Sequence, residues 1–344
     1  MFFIDKYRPE NYKKSFFHEE IYKSLEDISK DDNLPHIIFY GPDGSGKRTM
    51  IKLFLTMLFD ENAIKKIKNV IYDVNASNNK PSKERVKQSD YHIVIEPKNT
   101  NYDKYLIHDI VKEYAQRFPL KVFKTNRKFK VVNINNIDNM SYYAQTSLRR
   151  TMEKQTSICR FIMSCQTLSK IIKPLRSRCI CIRVPAPEDI HIYEYLLKIC
   201  VNENMIDEMN HVGNIVKSCN GNIKTALWEL QNLKYGYKIK TDYHSGVETI
   251  IKLILEGDKK NVNLIRTIIN NLMITTIEYS IILKDIIFGL CSIDTISDNA
   301  KAEIINKGSL VSYLLINGRR KIIQFDAFFM TAIFIIYKEK NIKK

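Results

Sequence analysis

"IIFYGPDGSGKRT", Ile37 to Thr49, is a short apolar run that breaks into a glycine-rich turn and then continues as a helical pattern. Glycines let the backbone curl, so that its N–H groups point inward at phosphate oxygens, and the following helix N-terminus adds partial positive charge. The spacing Gly41-Pro42-Asp43-Gly44-Ser45-Gly46-Lys47 fits a phosphate-binding loop, with Lys47 as a mobile cation for the β- and γ-phosphates. The next letter departs from the pattern. Arg48 stands where Ser or Thr holds Mg²⁺, and a guanidinium cannot coordinate a cation. Thr49 is one position late, turned by about 100° on a helix and so away from the phosphates. Phosphate binding is expected here, and metal binding is not.

The loop opens an alternation of strands and helices. Strands are expected at His36–Tyr40, Tyr91–Pro97, Phe129–Asn135, Cys159–Cys165 and Cys179–Val184. Helices are expected at Arg48–Phe59, Tyr102–Phe118 and Ser141–Lys154, the last capped by Ser141. Such alternation implies an α/β fold, a parallel sheet with helices on both faces. Two prolines in "VPAPED" (Val184–Asp189) end the alternation, and the remainder reads as helical. The polar "KTDYHSG" (Lys240–Gly246) separates two helical sections. The partition expected is 1–184, 185–240 and 241–344.

Hydrolysis of a nucleotide also needs a carboxylate at the end of a neighbouring strand. In "FKVVNINNIDNM" the expected positions hold Asn135 and Asn136, which have no charge for Mg²⁺ and no base for water. Asp138 lies two positions beyond the pair.

The bulk numbers set limits. With 54 Lys and Arg against 38 Asp and Glu, the net charge is +16, which points to a polyanion such as nucleic acid, or to a generally Lys-rich composition. Seven cysteines without a C-x-x-C pair argue against zinc and disulfides, and for an intracellular protein. The most apolar stretch, Ala327–Tyr337, is too short to span a bilayer and reads as a buried helix. The terminal "KEKNIKK" reads as a solvated tail or, less strongly, as a nuclear-targeting segment.

Four local words then occur in one order. "DKYRP" (Asp5–Pro9), "AQTSLRRTME" (Ala144–Glu153), "LRSRC" (Leu175–Cys179) and "GNIKTALWELQ" (Gly221–Gln231) resemble the boxes of replication factor C small subunits, which are AAA+ clamp-loader proteins. "FDAFFMTAIFIIYK" resembles their last collar helix. The degenerate strand end and the basic residue after Lys47 resemble the eukaryotic type called subunit three in animals.

The resemblance implies an AAA+ P-loop domain, a small helical lid and an all-helical collar. It implies a hetero-pentamer with other such subunits, which uses ATP to set a PCNA-like sliding clamp on primer–template DNA, in the nucleus or, for a large DNA virus, the cytoplasm. It implies ATP or ADP contacts from Tyr7, Arg8, Pro9, the loop residues and Lys224, with Gln166 at the sensor 1 position. It implies Arg178 as an arginine finger in trans, a device worth ~10³–10⁵ in rate. Lys83, Arg85, Lys87, Lys104, Arg149 and Arg150 are candidates for DNA phosphates, and "PLKVFKTNRKFK" (Pro119–Lys130) for clamp or neighbour contact.

Three other readings stand beside this one. They are an active ATPase in which Asp138 or Thr49 improvises, a P-loop small-molecule kinase, and a scaffold that holds no nucleotide.

Overall fold

A computed structural model describes the chain from Met1 to Ile342, apart from residues 13–14, 32, 60–66, 76–80, 98–108, 115–128, 157, 206–208, 237–241, 258–260, 275–278, 295 and 318–319. The chain forms two compact units, Met1–Tyr237 and Lys238–Lys344.

The first unit is built on a seven-stranded sheet. In chain order the strands are β1 His36–Tyr40, β2 Lys68–Asn75, β3 Pro81–Gln88, β4 His92–Ile95, β5 Lys130–Ile134, β6 Cys159–Cys165 and β7 Cys179–Arg183. They lie in the order β2-β3-β4-β5-β6-β1-β7. The five from β4 to β7 in that order are mutually parallel. The expectation of a parallel sheet needs one correction: β3 runs antiparallel to both β2 and β4, so the sheet is mixed.

Apolar side chains alternate across this sheet because successive residues of a strand face opposite ways. Ile37 and Phe39 join Met50, Phe54 and Leu58 of α3 (Lys47–Phe59) and Leu25 of α2 (Glu19–Lys30) in one core. Ile38 faces the other way, into a core with Ala144, Leu148 and Met152 of α4 (Tyr142–Gln155). Both faces of the sheet are therefore covered. Ser141 caps α4, its Oγ accepting from the backbone N–H of Ala144 at 3.3 Å. Of the helix expected at Tyr102–Phe118, residues 109–114 are described and are helical, and the rest lies outside the described residues.

The short helix α1 (Phe3–Lys6) opens the chain, and α5 (Lys173–Arg176) leads into β7. Three helices complete the unit: α6 Asp189–Asn202, α7 Met209–Cys219 and α8 Ile223–Lys234. They are tied to the N-terminus by one carboxylate. Glu203 accepts from Lys6 Nζ at 2.6 Å, Tyr7 Oη at 2.5 Å and Lys234 Nζ at 2.5 Å. The backbone N–H of Phe3 also donates to Gln231 Oε1 at 2.9 Å.

Helices α9 Asp242–Glu256, α10 Asn261–Ile274, α11 Tyr279–Cys291, α12 Asp298–Asn317 and α13 Lys321–Ile342 form the second unit. Its core gathers Ile250, Ile265, Ile286, Ile304, Phe325, Phe328 and Ile333. The apolar stretch expected to be a buried helix is buried on one side only. In α13 Phe328, Phe329 and Ile336 are inside, while Met330 and Phe334 project outward. The terminal segment expected to be a tail is helical through Ile342. No helix among the described residues is long and apolar enough to cross a membrane.

Hydrogen bonds from Lys234, Lys6 and Tyr7 pull the Glu203 carboxyl down to about 2. A depressed carboxyl contributes stability above its unfolded value, near 4.5, and loses it as pH falls through about 2. Glu203→Gln should lower the melting temperature at pH 7 by a few degrees, the effect of about 1 kcal/mol for a screened site. Calorimetry at a series of pH values should show this gap narrowing below about 4.5. A gap that does not change with pH would remove the charged latch.

Candidate nucleotide site

The glycine loop sits where β1 ends and α3 begins, at the carboxyl end of the parallel strands. Gly41 must be glycine for a steric reason, since a Cβ there would lie 2.0 Å from the carbonyl oxygen of Val184. Gly44 has φ +72°, and a Cβ would lie 1.8 Å from Asn222 Oδ1. The loop and α8 are clasped together here. The backbone N–H of Ile223 donates to Gly44 O at 3.2 Å, and Asn222 Oδ1 caps α8 through the N–H groups of Lys224 and Thr225.

A cleft of about 530 Å³ opens over the loop. It brings together Tyr7, Arg8, Pro9, residues Asp43 to Thr49, Asn136, Gln166 and Lys224. Thr49 lines it as well. Gly41 and Pro42 supply backbone only: Lys47 Nζ donates to their carbonyl oxygens at 2.8 and 2.5 Å. Burial lowers the Lys47 pKa, against the nearby charge of Asp43. Three other residues of the wall, Phe17, His18 and Tyr195, carry no motif in the sequence and were not among the expected contacts. His18 has left-handed backbone at the start of α2, and its Nε2 lies 3.1 Å from Ser45 O. Burial lowers its pKa and raises that of Tyr195 to about 12.

The end of β5 is where a hydrolytic site needs carboxylates. Asn135 is buried and Asn136 has φ +52°, a left-handed conformation that Asn tolerates better than Glu. Asp138 does not line the cleft, and its Oδ2 accepts from the backbone N–H of Gln166 at 3.1 Å. A carboxylate does meet the pair, from one strand over. Glu96, just after β4, accepts from Asn135 Nδ2 at 3.1 Å and lies 3.8 Å from Arg48 Nη1. A search for carboxylates along β5 alone passes over Glu96. The residues at 48 and 135 therefore do not fit Mg²⁺: one is a cation and the other a neutral amide, and both face a carboxylate already shared between them.

Arg178 is elsewhere. It precedes Cys179, which pairs with His36 at the start of β1, whereas the loop follows Tyr40, paired with Arg183. The offset from Arg178 to Val184 is six residue steps across β7, roughly 20 Å along the sheet. Arg178 is exposed, with Nη2 2.8 Å from Glu153 Oε1 and Nη1 donating to Pro174 O at 2.6 Å. Burial holds the adjacent Cys179 thiol up at about 12, so it stays protonated.

The basic candidates divide. Lys83, Arg85 and Lys87 are exposed on one face of β3, two residues apart. Arg150 is exposed, and Arg149 Nε lies 3.8 Å from Glu153 on the same helix. Lys104 and residues 119–128 of the basic stretch lie outside the described residues. Lys130 is not a loop residue. It opens β5, is buried, and donates to Tyr114 O at 3.2 Å.

A core of parallel strands with helices on both faces, a glycine loop after β1, and a following helical section whose α8 clasps the loop define a P-loop α/β protein of the AAA+ class. A solved structure supports this fold: the chain superposes on a DNA polymerase III gamma subunit-related protein of Thermotoga maritima with a TM-score of 0.50, at 9% identity, over 91% of this chain and 99% of that one. The family model "DNA polymerase III, delta subunit" matches residues 17–188. A protein of Acanthamoeba polyphaga mimivirus named as a replication factor C small subunit is 40% identical over 95% of this chain and 89% of that one. Replication factor C subunit 5 of Saccharomyces cerevisiae is 31% identical over 94% and 96%. The chain belongs to the replication factor C small subunits, the clamp-loader family.

Gly44→Ala tests the clasp. It places a side chain in a left-handed conformation and against the Asn222 amide, which must turn away and give up its cap on α8. We expect a destabilisation of about 1–2 kcal/mol, together with weakened ATP or ADP binding in equilibrium titration. Unchanged affinity in the folded variant would show that the clasp does not shape the site.

Proposed function

We propose that the chain is a clamp-loader subunit that binds ATP or ADP in the cleft over Lys47, hydrolyses it poorly or not at all, and serves the ATP of a neighbouring subunit through Arg178. One observation carries the reading: the two halves of the chemistry stand at opposite ends of β1 and β7. The end that holds its own phosphates lacks carboxylates at Asn135 and Asn136. The far end, roughly 20 Å away along the strands, presents Arg178 to solvent. A cation so placed cannot reach its own cleft, whereas it can reach a nucleotide bound by another chain docked on that face.

The other parts fit this use. Helices α6–α8 act as the lid, closing on the loop through Asn222 and Ile223, with Lys224 as a charge at the sensor 2 position. The second unit acts as the collar. Its outward-facing Phe288, Tyr313 and Phe334 offer apolar area for packing against sister subunits. The assembled partners are other replication factor C-like subunits, a PCNA-like clamp and primer–template DNA, at the place of DNA replication. DNA is gripped by its phosphates, without base reading, and the Lys83, Arg85 and Lys87 stripe is the best-exposed candidate.

Two experiments test this. Complexes reconstituted with Arg178→Ala should lose part of their DNA- and clamp-stimulated ATPase, because one site of several is affected, and more of their clamp loading. Nucleotide binding to this chain should persist. If both rates are unchanged in a complex that assembles normally, Arg178 is not a finger. Separately, DNA affinity should fall steeply with salt and show no sequence preference. Replacing Lys83, Arg85 and Lys87 with Ala should reduce the slope of log affinity against log salt by about one for each phosphate no longer neutralised. An unaltered slope would move the DNA surface elsewhere.

A further inference from the structure

The cluster of Arg48, Glu96 and Asn135 has no role in the function above, yet it joins three separate elements at the edge of the nucleotide cleft. Arg48 comes from the first turn of α3, beside Lys47, and lines the cleft. Glu96 comes from the end of β4 and Asn135 from the end of β5. The two are neighbours because Ile95 pairs with Ile134 in the parallel ladder. A single oxygen, Glu96 Oε1, accepts from Asn135 Nδ2 at 3.1 Å and faces Arg48 Nη1 at 3.8 Å.

The three residues explain one another. With Asp at 135, two carboxylates would meet at hydrogen-bond distance, and one of them would be driven to hold a proton. Asn135 removes that conflict and donates to Glu96 instead. Glu96 in turn offers its charge to Arg48. With Thr at 48, Glu96 would lack its cationic partner. Each departure from a metal-holding loop is thus matched by another, and the set places a guanidinium beside Lys47 at the edge of the cleft.

We propose that the Arg48 guanidinium, aimed by Glu96, takes the place of the divalent cation, so that this site holds a nucleoside di- or triphosphate without metal. The inference rests on the reading that the cleft binds nucleotide. It goes further by assigning the counter-charge and by making Glu96 a positioning residue. A guanidinium presents a planar fork of donors that forms charge-assisted hydrogen bonds to phosphate oxygens. The Arg48–Glu96 pair is more than half exposed on both sides, so it adds little stability and acts by direction. Unlike a divalent metal, a guanidinium does not turn a bound water into a nucleophile, in keeping with a nucleotide that is held rather than turned over.

The test is equilibrium titration of the full chain with fluorescent ADP and ATP, once in EDTA and once in Mg²⁺. For the wild type the two dissociation constants should agree within about threefold. Arg48→Thr should weaken binding in EDTA by about tenfold or more, the scale of one charge-assisted hydrogen bond. Glu96→Gln should weaken it less and leave the melting temperature unchanged, and Glu96→Asp should recover part of the loss. Asn135→Asp with Asn136→Glu should not create metal dependence while Arg48 remains. Arg48→Thr combined with Glu96→Gln and Asn135→Asp should create it, seen as tighter binding in Mg²⁺ than in EDTA and as Mn²⁺ uptake by water-proton relaxation. Wild-type binding that needs Mg²⁺, or full affinity in Arg48→Thr, overturns this inference and leaves the nucleotide site standing. No binding under either condition, with Lys47→Ala indistinguishable from wild type, overturns the nucleotide reading and this inference together.

Discussion

Everything in the first unit depends on β1 lying between β6 and β7 in parallel register. That pairing is a ladder of backbone hydrogen bonds on both sides of a five-residue strand, and it fixes which groups share an end of the sheet. The glycine loop, Gln166 and the asparagine pair all follow the carboxyl ends of adjacent strands, so they converge on one cleft. Arg178 precedes β7 and is held at the other end. The distance between the cleft and this exposed guanidinium is set by backbone pairing, before any side chain is considered.

Sheet burial then determines how much of the chemistry can change. Ile37, Phe39, Val131 and Ile162 are fully buried and tolerate little alteration of volume. The residues just beyond the strand ends are free of that constraint. Glu96 and Asn136 lie there beside the buried Asn135, and Arg48 stands exposed on the first turn of α3. A nucleotide scaffold can therefore keep its full packing quality while the groups that would hydrolyse the nucleotide are replaced. Mutual fit among the replacements is part of the account: an amide, a carboxylate and a guanidinium form a matched set, as would a carboxylate, a metal ion and a hydroxyl.

Much of this is legible in the sequence because the apolar strands are short, continuous and bounded by turn residues. His36–Tyr40 and Cys159–Cys165 have the same bounds in the sequence pattern and in the structure. The loop is readable because Gly41 is pressed against the Val184 carbonyl oxygen and Gly44 holds left-handed backbone beside Asn222, both of which favour glycine. Strand β3 escapes a sequence reading for a physical reason: among the described side chains of "PSKERVKQ", Val86 is the buried apolar one, amid charged neighbours, so the strand has no apolar period. Lys130 misleads because a lysine at a strand start looks solvated, and only the fold reveals Tyr114 O beneath it. Glu96 has no signal at all. Its partners are 48 and 39 residues away in sequence, and nothing short of the strand order brings them together.

The N-terminal latch has a consequence for how the protein is made. Phe3 bonds to Gln231, 228 positions along the chain, and Tyr7 to Glu203, 196 positions along. With synthesis at ~5–20 residues per second, the first helix emerges on the order of ten seconds or more before its partners exist. Its apolar Phe2 and Phe3 must wait, exposed, until α8 has left the ribosome. The sheet can assemble earlier from strands close in sequence, but the wall of the cleft contributed by Tyr7, Arg8 and Pro9 closes last. A nascent chain halted within α6–α8 would carry the phosphate loop without the helix that supplies Asn222 and Lys224 to its pocket.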